Sequence, residues 1–311
     1  MPDPPTFATA PNPPHTAEIS ASVPRLHLLG GLLADLEADA ERRHDAKLTN
    51  KPLGALSGFN QLDARLGGSF AVGVHALHGS PGIGKTAFAL QIAACCGCPA
   101  LFVTCEMPPL ELLRRHTARV TGTFLGKFKT GEMPASEIAR QASRAAAEAP
   151  WLGLLDGTVA PVSTADVLHA AATVRRLAPE NPHLLIVVDS LHAWAEGGGE
   201  GEEYDRLNTA ITALKGVAAA ERAAVLYVSE RSRANMGKGG QNSGAGSRKI
   251  EYAAETVIGL NAESTDAEGC PVYDSYGETE VKLTFGKNRH GEAGTPVKMK
   301  FEGRRQQFRE V

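Results

Sequence analysis

Hydrophobic and polar residues follow two rhythms along this chain, and the switches between them outline its elements. Five short aliphatic runs have the length and composition of buried strands: Val74 to His78, Leu101 to Thr104, Leu184 to Val188, Ala224 to Val228 and Thr256 to Leu260. Between them, Lys85 to Ala94, Pro109 to Val120, Ser136 to Glu148, Thr164 to Leu177 and Tyr204 to Glu221 carry the pattern of helices. Strands alternating with helices of this length predict βαβ units, hence an α/β fold with a mostly parallel sheet flanked by helices. Beyond residue 270 the pattern becomes that of a C-terminal β-hairpin, with Val281 to Phe285, Thr295 to Phe301 and a last short run near Phe308.

The N-terminal part reads differently. Residues 1–24 hold seven prolines and no periodic apolar face, which predicts a disordered or extended tail. From Arg25 to about His44, Leu28, Leu29, Leu32, Leu33 and Leu36 recur at three- and four-residue steps, the mark of an amphipathic helix with one adhesive face. Such a helix packs either on its own core or on a neighbouring subunit. Residues 45–58 read as a linker. The expected organisation is therefore a tail over 1–24, a linker or docking helix over 25–49 and one domain over 50–311.

Composition narrows the classes. With 42% hydrophobic and 22% charged residues in 311, the chain is expected to be a soluble globular protein. Thirty-two Lys and Arg against 35 Asp and Glu leave a net charge of -3, so bulk charge does not draw it to nucleic acid or to an anionic membrane. Met1 to Pro24 has neither a basic nor an apolar signal region, and no run reaches the roughly 18 apolar residues of a membrane span. A cytoplasmic location without membrane contact is the expectation. Of five cysteines, three stand in Cys95-Cys96-Gly97-Cys98; no second ligand pair follows, so they read as ordinary reduced thiols at a helix end.

The chemistry begins at Gly79-Ser80-Pro81-Gly82-Ile83-Gly84-Lys85-Thr86, which fits G-x-x-x-x-G-K-[ST] between a strand and a helix. Glycines let backbone amides curl around an anion, the helix N-terminus adds partial positive charge, and Lys85 reaches the β- and γ-phosphates. Thr86 would place its hydroxyl on Mg²⁺, which makes ATP with Mg²⁺ the expected ligand pair. Leu184 to Val188 ends in Asp189, a carboxylate delivered to the C-terminal edge of the sheet, where it could share the Mg²⁺ shell. Glu106 follows a strand expected to lie next to the phosphate-loop strand. It is either a general base orienting water at the γ-phosphate or an acidic charge favoured at the start of the next helix.

With these pieces placed, residues from about 50 to 309 resemble the C-terminal ATPase domain of DnaB-type replicative helicases, within the RecA-like fold. The resemblance rests on Leu56-Ser57-Gly58-Phe59-Asn60-Gln61-Leu62-Asp63, on Thr104-Cys105-Glu106-Met107 with Leu112-Leu113-Arg114-Arg115, and on Asp189-Ser190-Leu191. It continues through Leu214-Lys215, Val228-Ser229-Glu230-Arg231-Ser232-Arg233, Lys249-Ile250-Glu251-Tyr252-Ala253-Ala254-Glu255 and Gly286-Lys287-Asn288-Arg289-His290-Gly291. It favours Glu106 as the base. It further implies a homo-oligomeric ring, usually a hexamer, with ATP between subunits and single-stranded DNA in the channel. Lys287 and Arg289 would then be trans-acting fingers at the neighbour's nucleotide, and the Arg25 to His44 helix would dock on the adjacent subunit.

Three departures stand out. Family members usually carry an aromatic residue where Ser190 stands and a glutamine where Glu230 stands, and they carry an N-terminal primase-binding domain where this chain has a Pro-rich tail. Glu230 would sense the γ-phosphate through water, and its charge would either weaken ATP binding or alter coupling. Arg231, Arg233, Lys238, Arg248 and Lys249 lie with five glycines and no acid between Arg231 and Lys249, a cationic loop that either lines a pore and contacts DNA phosphates or is a mobile surface loop. Three functions follow: a DnaB-type DNA-binding ATPase with replication or recombination partners, a regulatory or recombination-accessory ATPase similar to RadA or KaiC, or a structural protein whose nucleotide stabilises a ring.

Overall fold

The computed structural model describes residues 26–198, 201–230, 253–267, 269–292 and 294–311, and of Glu230 only the backbone. It divides into two units, Met1–Thr49 and Asn50–Val311. In the first, a 3₁₀ turn at Leu29–Leu32 runs into helix α1, Leu33–Leu48, and neither buries a residue. The helix thus continues through Asp45 to Leu48, which the sequence reads as linker, because nothing there breaks it. The Thr49 N–H closes its end on the Asp45 carbonyl at 2.9 Å.

In the second unit, residues assigned to the linker are also structured: Ala55 pairs with Phe70 and Ser57 is fully buried. Helix α2 (Asn60–Arg65) follows, its first amides capped by Glu310 Oε1, which accepts from Gln61 N at 2.7 Å and Leu62 N at 3.1 Å. The sheet strands are β1 (Gly73–Gly79), β2 (Ala100–Thr104), β3 (Leu152–Asp156), β4 (Leu185–Asp189), β5 (Ala224–Glu230), β6 (Thr256–Ala262), β7 (Glu278–Asn288), β8 (Val297–Glu302) and β9 (Gln307–Glu310). Their order is β3-β2-β4-β5-β1-β6-β7-β8-β9. The first six are parallel, and β6 to β9 form an antiparallel meander that extends the expected hairpin. This is the RecA-like fold. Strand β3 is absent from the sequence reading. The expectation that the strand before Glu106 neighbours the phosphate-loop strand is wrong: β4 and β5 insert between β2 and β1.

Helices α3 (Lys85–Cys95), α4 (Pro109–Thr121), α5 (Ala135–Glu148), α6 (Thr164–Arg175), α7 (Leu191–Glu196) and α8 (Glu203–Glu221) connect the strands. Alternation along the strands splits the core into two layers. Leu185, Val187, Leu226 and Val228 face the layer that holds α3, whereas Ile186, Val188, Val225 and Tyr227 face that of α6, α7 and α8. Buried strands of this kind read as unbroken apolar runs because both faces are covered. Phe88 on α3, fully buried, stacks on Phe59 at 5.3 Å and meets Phe308 edge-on at 5.0 Å, and Phe308 stacks on Phe301 at 4.3 Å. Buried Gln91 completes the join, exchanging two 2.9 Å hydrogen bonds with the backbone of Phe308. The C-terminal meander is thereby locked onto the helix that begins at the phosphate loop.

Candidate active site

The loop between β1 and α3 turns through Gly82 and Gly84, at φ +82° and +92°. At Gly84 a side chain is excluded twice over, since a Cβ would also lie 2.7 Å from the Phe301 ring. Because Gly84 is the N-cap of α3, no side chain occupies the helix's first amides, which open toward an anion. Lys85 Nζ donates to the carbonyl oxygens of Gly79 at 3.0 Å and Ser80 at 3.1 Å, folding over the loop. Ile83 is fully buried and anchors it from below. Tyr273, between β6 and β7, donates its hydroxyl to the Gly82 carbonyl at 2.8 Å.

Two carboxylates face this loop. Asp189 is only 4% exposed at the end of β4, and burial, reinforced by the charge of Glu106, pushes its carboxyl up to about 6. A hydrogen bond from the Thr86 hydroxyl and the cations Lys85 and Arg115 oppose that rise. Glu106 is exposed just beyond β2, and one of its oxygens accepts a hydrogen bond from the Ser190 hydroxyl. Ser190 also caps α7, accepting from Ala193 N at 3.4 Å. The strand ends are tied together by Cys105 N, which donates to the Asp189 carbonyl at 2.8 Å. Burial beside the two acids pushes the Cys105 thiol up to about 12 and keeps it protonated.

These groups line one cleft of about 350 Å³, where Lys85, Thr86, Glu106, Asp189 and Ser190 meet Arg115, Tyr273, Phe301 and Gln306. Pro81, Gly82 and Gly84 of the loop line it as well. The last four side chains were not assigned to the site from sequence, and three of them come from the meander. Arg115 is held by Gln306 Oε1 at 2.6 Å and Glu111 at 3.3 Å. A larger cavity of about 560 Å³ opens by α6, α7 and α8, but it contains none of the motif residues. Its Trp194 indole N–H is engaged by the Val162 carbonyl at 2.8 Å. Chemistry therefore assigns the smaller cleft.

Lys287 and Arg289 do not line the cleft of their own chain. Lys287 Nζ donates to the Ala254 carbonyl at 2.6 Å, and partial burial together with neighbouring Arg289 holds its ammonium below the usual lysine range. Arg289 pairs with Glu255 at 3.1 Å, and His290 contacts the other oxygen of that carboxylate at 2.9 Å. The Glu230 backbone lies in register with Gly79, one strand away from the loop. Arg231, Arg233, Lys238, Arg248 and Lys249 lie outside the described residues.

Residues 54–310 match the family model described as the DnaB-like helicase C terminal domain. Among solved structures, an isolated ATPase domain is similar, with a TM-score of 0.73 at 20% identity over 91% of this chain and 99% of that one. A DnaB-like replicative helicase, from a study of its interactions with primase, gives a TM-score of 0.68 at 19% identity over 90% of this chain and 71% of that one. A KaiC-like protein from Pyrococcus horikoshii OT3 gives 0.54 at 18% identity, over 83% of this chain and 98% of that one. No curated protein matches.

Proposed function

From the premise that this chain belongs to the DnaB-like helicase C-terminal domain family, we propose that it is a ring-forming, Mg²⁺-dependent ATPase that binds single-stranded DNA and unwinds duplex. One observation carries the nucleotide chemistry: Lys85, Thr86, Glu106 and the buried Asp189 line one cleft at the phosphate loop. Thr86 and Asp189 are hard oxygen donors lining the cleft at the phosphate loop, a donor set that fits Mg²⁺ and would hold it there. Once bound, the metal would neutralise charge on the phosphate oxygens.

The chain's own groups divide the remaining work. Loop amides from Gly82 through Thr86 cradle the phosphates, and Lys85 exchanges its carbonyl contacts for the β- and γ-oxygens. Glu106, oriented by the Ser190 hydroxyl, aligns a water and takes its proton. Arg115 adds positive charge to the cleft and lowers the Asp189 carboxyl's pKa. At position 230 the family pattern has glutamine, and the acid this chain carries there would weaken ATP binding or alter coupling.

Assembly follows from the surfaces. Leu26, Leu29, Leu33 and Leu36 are 92%, 87%, 65% and 66% exposed, an apolar face that supports docking on a second copy, in a hexamer by the family pattern. Lys287 and Arg289 lie beyond their own cleft and would complete the neighbour's site, stabilising transition-state charge. Arg231, Arg233, Lys238, Arg248 and Lys249 would line the channel and contact DNA phosphates, giving salt-dependent binding. We take the segment 1–24 as a tail, 25–49 as the docking helix and 50–311 as the ATPase domain. Among the described residues no helix is long and apolar enough to cross a membrane. We take the ring as cytoplasmic, with partners in replication or recombination.

Glu106→Gln should abolish turnover while sparing ATP binding; unchanged turnover refutes its role as base. ATPase rates with and without single-stranded DNA, taken with the mass in solution, test the ring and its DNA. Strand displacement on forked DNA separates this reading from a regulatory ATPase of the RadA or KaiC kind.

A further inference from the structure

The cysteines that close α3 are unused by any step above. Cys96 and Cys98 are 2% and 5% exposed, and their sulfurs lie 3.6 Å apart, with the Cys98 thiol donating to Cys96 Sγ. Gly97, exposed and at φ +70°, folds the tripeptide so that both side chains fall on one side. Cys95 is turned away, its Cβ packed where a side chain at Gly58 would have to sit, 2.5 Å distant. The pair stands at the foot of the two elements that serve the cleft. Leu56 N donates to the Cys96 carbonyl at 3.0 Å, and Leu185, at the start of β4, donates to Pro99 O at 3.1 Å.

We propose that Cys96 and Cys98 are a redox-active dithiol that closes to an intramolecular disulfide by exchange with a small-molecule disulfide, which reaches the buried sulfurs when the exposed Gly97 turn opens locally. The two sulfurs need to approach only from 3.6 Å to a bond of about 2 Å. Cys96 is the attacking thiolate. The Cys98 hydrogen bond and the local backbone amides hold it below the ordinary thiol range against burial, whereas Cys98 is pushed up. Cys96, whose S–H donates to the carbonyl oxygens of Cys98 at 3.1 Å and Ala93 at 3.3 Å, first loses its proton to solvent, and its thiolate then displaces one thiolate from the reagent, giving a mixed disulfide. Cys98 then loses its proton to solvent and attacks Cys96 Sγ, expelling the second thiolate. Two electrons pass from the protein to the reagent, which leaves as two thiols. So small a ring is strained and readily reduced, which makes the dithiol the resting form in a reducing compartment.

Cys95→Ser, Cys105→Ser and Cys270→Ser together leave only this pair of the five cysteines. The native triple variant, treated with oxidised glutathione and then denatured and alkylated, should lose both reactive thiols. Its mass should fall by two hydrogens and it should remain free of intermolecular disulfide. Adding Cys98→Ser should stop the reaction at a single glutathione adduct. Two thiols still alkylated, a glutathione adduct with both cysteines present, or a disulfide between chains would overturn the proposal. Should the triple variant fail to fold, the wild-type chain gives the same reading: three of its five thiols alkylated after oxidation, with Cys96 and Cys98 joined by fragment mass, against pairing elsewhere or none.

Discussion

Replacing Asp189 by Asn should make the nucleotide-free protein more stable while disabling its cleft. Burial lifts this carboxyl from its ordinary 3.8 to about 6, even after the help of Thr86, Lys85 and Arg115. At pH well above both values the side chain is ionised whether the chain is folded or not. The rise then measures how strongly the folded protein disfavours the charge, on the order of 3 kcal/mol. Asn has nearly the same volume and carries no charge, so most of that penalty disappears. In the window from 3.8 to about 6 the folded state binds more protons than the unfolded state. Asp189 therefore favours folding in acid, and that contribution is lost as pH rises through about 6. Urea unfolding of wild type and D189N without nucleotide, at about pH 4, 6 and 8, should give a difference near zero in acid that grows to about 1–3 kcal/mol at the alkaline end. Equal stability at about pH 8, or a difference that ignores pH, refutes the reasoning. The same substitution removes the charged oxygen offered to Mg²⁺, so Mg²⁺-dependent ATP binding should fall as stability rises.

Ser190→Ala removes the donor that orients Glu106. It should lower kcat about tenfold, equivalent to about 1.4 kcal/mol of barrier, with KM for ATP unchanged; steady-state kinetics decide, and an unaltered kcat separates the hydroxyl from turnover. Gly84→Ala meets both a φ of +92° and the Phe301 ring at 2.7 Å. It should cost about 2 kcal/mol or more of stability and abolish nucleotide binding, checked by thermal unfolding and ATP titration.

How far the sequence carried depends on what each feature requires. The phosphate loop was legible because its glycines, Lys85 and Thr86 are contiguous and each answers a local need. Asp189 was legible because a strand covered on both faces has no polar alternation, so a carboxylate at its end stands out. Strand β3 was not, since at the sheet edge its five residues are half-buried and carry two leucines in succession rather than a strand rhythm. Strand order is also invisible locally. Nothing in Leu101 to Thr104 says that β4 and β5, made later in the chain, will separate it from β1. Tyr273, Phe301 and Gln306 escaped for a related reason, because they reach the cleft only after the meander folds back on α3 through Gln91 and Phe308. The Cys96–Cys98 pair was visible as spacing, but its 3.6 Å contact depends on the turn at Gly97.

A second buried group acts against Asp189 in nearly the same pH range. His75, 1% exposed near the start of β1, is pulled by burial from 6.5 down to about 4, despite its contact with the Ala71 carbonyl and the nearby Glu255 charge. A histidine kept neutral by the fold is protonated first in the unfolded chain. Its contribution is full above 6.5 and is lost as pH falls toward 4, again on the order of 3 kcal/mol. Asp189 gains as pH falls from about 6 to 3.8, so the two effects largely cancel in the wild-type protein. His75 stands at the opposite end of its strand from the phosphate loop, which argues for additivity. Three variants test this against the wild-type acid limb. D189N should expose the histidine and steepen the loss of stability in acid. His75→Gln, whose amide can still donate to Ala71 O, should expose the aspartate and raise stability as pH falls through about 6. The double variant should return to the wild-type slope. A double variant as steep as D189N would mean that His75 is not the opposing group.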